Sequence, residues 1–277
     1  MYPTLLSIGR LRVSSFGVFL AAAFIVATVI VHLELRRKRE RTEGVWPAAG
    51  ATMIAGLLGA RLYYAVLHWQ TTIAQPWAAL TARGGLVWYG GFLGGTLAVI
   101  FYVRRAKIGA RVLSDVLAPA LALSYAVGRI GCFLVGDDYG LPSAVPWAIK
   151  FTEGSPPSTA YILRTHFGVP IQPGISDDTV LAVHPTQLYE ASAMVIVFAL
   201  LWAVRRRRWP DGAMFSLYLM LAGLERVLVE ILRVKDDRFF GSVTVAQCVG
   251  LASVITGVVL GAWWLKKDRG GFDELSD

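Results

Sequence analysis

Gly128-Arg129-Ile130-Gly131-Cys132-Phe133-Leu134-Val135-Gly136-Asp137-Asp138-Tyr139-Gly140 closes an apolar run that begins at residue 112, and it sets an arginine about one turn before the end of that run. If the run crosses a bilayer, Arg129 is expensive. An arginine near the centre of a membrane helix costs about 2.5–3.5 kcal/mol on insertion scales, so a retained one usually faces a polar cavity or a ligand. The alternative is that its long side chain snorkels to the nearby interface. The sequence around the stretch bears on that choice.

The 277 residues are 55% hydrophobic and only 17% charged, with a positive mean hydropathy. This exceeds what a soluble domain of that size needs for its core and points to an all-α polytopic membrane protein. A net charge of +8 would suggest nucleic acid in a soluble protein. Here the basic residues sit in short clusters between apolar runs, which is the signature of orientation in a bilayer, so nucleic acid is set aside as a partner. Cys132 and Cys248 both lie in apolar runs and give neither a disulfide framework nor a paired metal-ligand spacing.

Upstream of the quoted stretch lie three more apolar runs, at 13–33, 45–69 and 86–103. Downstream lie three others, one beginning at His184-Pro185 and the rest at 212–232 and 243–265. Each is about long enough to cross ~30 Å of hydrocarbon as a helix. The first run is followed, not preceded, by its charges, Arg36, Arg37, Lys38, Arg39 and Arg41, so it reads as a retained span and not as a cleavable signal peptide. Arg104, Arg105, Lys107 and Arg111 form a second cluster, Arg205 to Arg208 a third, and Lys266, Lys267 and Arg269 a fourth. The four clusters hold 16 of the 27 lysines and arginines, and the positive-inside bias places them all in the cytoplasm.

Seven spans follow from this, with the N-terminus outside and the C-terminus inside, as one integral membrane domain over 1–277. Residues 134–183 contain Pro142, Pro146, Pro156, Pro157, Pro170 and Pro173 with Asp and Ser between them, and read as an external loop or small cap. A polar turn, Lys235-Asp236-Asp237-Arg238, joins the last two spans on the same side.

With that topology, the polar residues inside spans gather in one leaflet. Arg61, then Arg129 with Cys132, then Arg226 with Glu230 and Arg233 lie toward the outer ends of outgoing helices, the last three at i, i+4, i+7 on one helical face. Tyr89, then His184, Gln187 and Glu190, then Thr244 and Gln247 lie near the outer starts of incoming ones. A guanidinium-rich chamber opening outward is the implication. Arginine suits phosphate because its planar fork offers paired donors and stays charged, and a phospholipid head group is the anion at that depth. An internal ion pair of Arg226 with Glu230 is the competing reading. Glu190 and Glu230 can each neutralise one guanidinium, which leaves at least one of Arg61, Arg129 and Arg226 for a ligand.

Glycines supply a second signal. Gly84-Gly85, Gly90-Gly91 and Gly94-Gly95 bracket the start of the third span in overlapping G-x-x-x-G steps. Gly94 and Gly95 read as close helix packing. Gly90 and Gly91, at the outer edge, read as a place where backbone approaches a head group. Pro185 suits a first helical turn and sets the following amides near the same chamber.

These residues resemble the bacterial prolipoprotein diacylglyceryl transferases over nearly the whole chain. The opening stretch is similar to the family signature through Gly128, Arg129 and Gly140. Gly84-Gly85-Leu86-Val87-Trp88-Tyr89-Gly90-Gly91 is similar to its glycine-rich segment, His184-Pro185-Thr186-Gln187-Leu188-Tyr189-Glu190 to its fifth-helix motif, and Arg226 with Glu230 and Arg233 to its sixth.

The resemblance implies transfer of the diacylglyceryl group of phosphatidylglycerol to the lipobox cysteine thiol of a prolipoprotein, in a bacterial cytoplasmic (inner) membrane, with membrane lipids as further partners and neither metal nor cofactor. It implies catalytic roles for Arg129, Arg226, Tyr89, His184 and Glu230, and substrate contacts from Arg129, Arg61, Gly90, Gly91, Gln187, Gly140 and Arg233. Tyr89 stands where the family commonly has histidine and Cys132 where it commonly has asparagine. A phenol is almost wholly protonated at neutral pH, so Tyr89 reads as a hydrogen-bond donor and His184 or Glu230 as the proton acceptor. A transporter and an inactive lipid-binding relative are the other readings of such a chamber. The apolar inner halves of the spans argue against the transporter.

Overall fold

The computed structural model describes residues 2–8, 11–77, 87–234, 238–240 and 243–273. Gly84, Gly85, Leu86, Lys235, Asp236 and Asp237, named above, lie outside the described residues.

Strands β1 (Thr4–Ile8) and β2 (Leu11–Ser14) form an antiparallel hairpin that runs directly into helix α1 (Ser15–Arg37). Then come α2 (Val45–Leu67), α3 (Trp69–Ala74), α4 (Trp88–Ala106) and α5 (Ala110–Val135). A small cap follows, with β3 (Ile149–Lys150), α6 (Ala160–Thr165) and β4 (Ala182–Val183). The chain ends with α7 (Thr186–Val204), α8 (Ala213–Glu230), β5 (Arg238–Phe240), β6 (Val243–Thr244) and α9 (Val245–Asp273). Among the described residues, three two-stranded sheets add to the all-α expectation.

Helices α1, α2, α5, α7 and the Val245–Lys267 part of α9 are long and apolar enough to cross a membrane. Helices form at the third and sixth expected spans too, as α4 and α8. Glu225, Arg226 and Glu230 make α8 the more charged of these two over its last turns. Large apolar side chains stand exposed along the helices, such as Leu58, Leu62 and Val66 on α2 and Val249, Ile255 and Val259 on α9. A contiguous apolar exterior of that kind belongs in lipid. The chain is a mostly helical, multi-pass membrane protein.

Packing divides the chain into two compact units, residues 28–113 and residues 1–27 with 114–277. In the first of these, α2 and α4 approach through small residues. A Cβ on Gly90 would overlap the carbonyl oxygen of Gly59, and one on Gly94 would overlap that of Ala55. Gly90 therefore packs the two helices together, as Gly94 does.

In the second unit Ala118, Ala122 and Ala126 repeat every four residues along α5. They present a flat face to Met194, Val197 and Leu201 of α7 and Met214 of α8. Asp115 of α5 accepts from the amides of Gly212 (2.9 Å) and Phe215 (3.1 Å), so a buried side chain from another helix satisfies the start of α8. Gly212 has φ 99° and lies against the Trp264 ring, where a side chain would meet both strain and overlap. Helices α8 and α9 close on each other through Gly223 and Gly250.

The cap has a core of its own. Tyr139, Phe151, Leu163, Val183 and Val234 bury together, with the Tyr139 and Phe151 rings stacked at 5.2 Å. Thr159 caps α6 by accepting from the Ile162 amide (3.3 Å), and β3 pairs with β4. Residues 134–183, read from their prolines as an external loop or small cap, fold around a few apolar side chains that suffice for a satellite core.

Candidate active site

Residues 137–141 leave α5 and thread between the start of α7 and the end of α8. The Gly140 amide donates to the His184 carbonyl (2.8 Å), the Leu141 amide to Leu232 (2.8 Å), and the Val234 amide to Tyr139 (3.3 Å). Thr186 Oγ1 donates to the Asp138 carbonyl (2.8 Å), and the Gln187 amide group donates to that of Asp137. Gly140 lies so close to Leu232, His184 and Thr186 that any Cβ would press on all three. The family-signature glycine is thus where cap, α7 and α8 are stitched together.

This stitching assembles an ion network. Glu190, in the second turn of α7 and wholly buried, is its centre. Its carboxylate meets Arg129 Nε of α5, Arg226 Nη1 of α8 at 2.8 Å and Arg233 Nη1 at 3.7 Å. Glu230 takes Arg226 at 2.9 Å and Arg233 at 3.6 Å. Asp138 takes Arg129 with one oxygen at 2.9 Å and Arg233 with the other. Arg129 Nε also donates to Tyr125 OH (3.1 Å), one turn earlier. Arg233 lies just past the end of α8, not on its helical face, yet the Gly140 bridge returns it to the same cluster.

Sequence reasoning expected at least one guanidinium to be left over. In this unit Arg129, Arg226 and Arg233 are all ion-paired, and Asp138 supplies a third carboxylate. Its only sequence signal was the Asp137-Asp138 pair inside the signature. Glu225, buried beside Arg226, was also missed.

His184 is half-buried, and its Nδ1 lies 3.1 Å from Tyr189 OH, to which Trp147 Nε1 donates at 2.6 Å. The Nδ1 side of the ring is therefore held in place. Asp137, beyond the end of α5, has its carboxyl pushed up to about 6, first by burial and then by the neighbouring Asp138 charge. Cys132 Sγ and the carboxylates of Asp137 and Asp138 come within 4.8 Å of one another. Two guanidiniums already hold Asp138, and their charge opposes a cation there. Arg61, Tyr89, Gly90 and Gly91 belong to the other unit. There Arg61 is half-buried on α2, and Tyr89 is 60% exposed in the first turn of α4.

A family model described as prolipoprotein diacylglyceryl transferase matches residues 3–263. The chain belongs to this family. Among its relatives, the phosphatidylglycerol--prolipoprotein diacylglyceryl transferase of Synechococcus elongatus is 32% identical over 95% of this chain and 87% of its own length. The proteins of the same name from Symbiobacterium thermophilum (33%; 96% of this chain and 93% of that one) and Paraburkholderia phymatum (32%; 96% and 94%) are similar throughout. The ion network is where the charged residues of three of the four motifs meet in this unit.

Proposed function

We infer that this chain is a phosphatidylglycerol:prolipoprotein diacylglyceryl transferase. The observation that carries the reading is the convergence of Arg129 from α5 with Arg226 and Arg233 from the end of α8 on one partly open cluster. In the reaction the cysteine sulfur forms a bond to the glycerol carbon of the lipid as that carbon's bond to the phosphate oxygen breaks. The thiol proton passes to a base, and glycerol phosphate leaves with the bonding pair. Negative charge grows on the departing phosphate, and guanidinium groups fixed in advance by carboxylates stabilise it most in the transition state.

Arg129 and Arg226 act on that phosphate, with Arg233 and Arg61 as further contacts. Glu190 and Glu230 hold the guanidiniums in place. Gln187 Oε1 is buried and accepts no hydrogen bond among the described residues, which suits it to a head-group hydroxyl. His184 Nε2 is the proton acceptor, because Glu230 is engaged with Arg226. Tyr89 donates a hydrogen bond, and Gly140 positions Asp138 and Arg233.

Seven helices span the bacterial inner membrane, with the N-terminus outside, the C-terminus and the four basic clusters in the cytoplasm, and the cap outside. The family match favours catalysis over the transporter reading. Expression in a strain depleted of its own transferase tests the function, with restored diacylglyceryl modification of lipoproteins expected. No modification from well-accumulated protein would contradict it. A periplasmic reporter should be silent after Arg208 and active near Ser155, and the reverse would overturn the topology.

A further inference from the structure

The carboxylates of the ion network are not equivalent. Glu190 and Glu230 present fully buried side chains on helices, whereas the Asp138 side chain is 42% exposed and meets both Arg129 and Arg233. Its two oxygens are divided between two guanidiniums that lie 104 residues apart in the chain. A planar carboxylate spanning two guanidiniums offers them the same paired acceptors as two oxygens of a phosphodiester.

The loop around Asp138 is also held through its backbone. Thr186 holds the Asp138 carbonyl, Gln187 holds that of Asp137, and the Gly140 amide is bonded to His184. The residue itself has φ 57°, a left-handed conformation that aspartate tolerates better than most residues. Backbone geometry therefore aims the carboxylate at the arginines. Charge fits as well, since without Asp138 the ion-paired set of Arg129, Arg226, Arg233, Glu190 and Glu230 has one positive charge in excess, and a phosphodiester carries one negative charge.

We propose that Asp138 is an internal competitor for the lipid phosphate, a carboxylate that occupies the Arg129–Arg233 fork in the resting protein and is displaced by the head group. The proposal rests on the reading that these arginines take the phosphate. Asp138 keeps two buried cations neutralised between turnovers, and by returning it helps expel glycerol phosphate. It weakens ground-state binding of substrate and product alike.

The test uses purified full-length protein in lipid nanodiscs, with transfer to a lipobox peptide as the readout and soluble glycerol phosphate as competitor. Each ion pair to the part-exposed Asp138 that no longer has to be broken is worth up to about a few-fold in affinity. Asp138→Asn and Asp138→Ser should therefore lower the KM for phosphatidylglycerol and the Ki of glycerol phosphate together, by roughly three- to ten-fold, with kcat unchanged or reduced. Asp138→Glu keeps a competing carboxylate and should shift both constants less than Asp138→Asn does.

An unchanged or raised KM in both neutral variants would overturn the proposal. So would failure of both to accumulate as folded protein, which would make Asp138 a structural tie. Absence of transfer by the wild type would instead overturn the function on which the proposal rests, so the two failures are separable.

Discussion

Replacing Glu190 by glutamine removes the charge at the centre of the network and keeps its volume. Glu190 is wholly buried and faces Arg129, Arg226 and Arg233. Glu230 and Asp138 are then left to neutralise three guanidiniums, and Arg226 keeps Glu230 alone. Breaking a buried pair costs about 3–5 kcal/mol, because the surviving charge stays out of water without a partner. Asp138 provides the internal comparison, since its side chain is 42% exposed and the Arg129 and Arg233 guanidiniums it meets keep Glu190 and Glu230 as partners, so its loss should cost closer to the ~1 kcal/mol of a solvated pair.

Glu190→Gln should thus destabilise the protein by about 3 kcal/mol more than Asp138→Asn, a difference on the order of 100-fold in the unfolding equilibrium. Reversible unfolding in mixed micelles, followed by denaturant titration, measures both variants on one scale. A Glu190→Gln cost within about 1 kcal/mol of the Asp138→Asn cost would refute the view that buried carboxylates organise these arginines.

Further outcomes follow from the same geometry. Gly140→Ala presses a methyl group on Leu232, His184 and Thr186, and should cost about 1–3 kcal/mol and lower transfer by misplacing Asp138 and Arg233, as unfolding and activity measured together would show. Asp137 has a pKa raised to about 6 in the folded protein, so the fold binds its proton more tightly than the unfolded chain does. That contribution is complete below about pH 4 and is lost as pH rises through 6, and Asp137→Asn should flatten the stability profile of the wild type between pH 5 and 7. Tyr89→Phe should reduce turnover only partly, whereas His184→Ala or Glu230→Gln should do more damage at equal protein level. Complete loss in Tyr89→Phe with both others unaffected would move proton transfer to Tyr89.

The helical frame was legible because apolar run length and basic flanks are local signals. The run expected at 45–69 is helix Val45–Leu67, and that at 112–133 is Ala110–Val135. The motif residues that meet in one unit, Arg129, His184, Gln187, Glu190, Arg226, Glu230 and Arg233, were also legible, since their depths in successive spans agree.

What stayed hidden depends on partners distant in the chain. Asp138 reads as an ordinary loop acid until residues 137–141 are seen threaded between α7 and α8. The packing of Gly90 against Gly59 likewise shows only once α2 and α4 are placed side by side. The hairpin at Thr4–Ser14 was overlooked because its apolar residues lead straight into the first span. The cap core draws on only five buried side chains spread from Tyr139 to Val234, with no periodicity to mark them.

The phosphate role of the arginines is tested most directly by transfer of labelled diacylglyceryl from phosphatidylglycerol to a lipobox peptide. Wild type, Arg129→Lys and Arg226→Lys are compared at equal amounts of folded protein. Lysine keeps the positive charge but loses the fork that meets two oxygens at once. The wild type should transfer the label, and each lysine variant should lose activity on the order of 100-fold, the scale of removing one preorganised donor from a developing charge. Transfer at the wild-type rate by both lysine variants would contradict the phosphate clamp and reduce the network to a structural set of ion pairs.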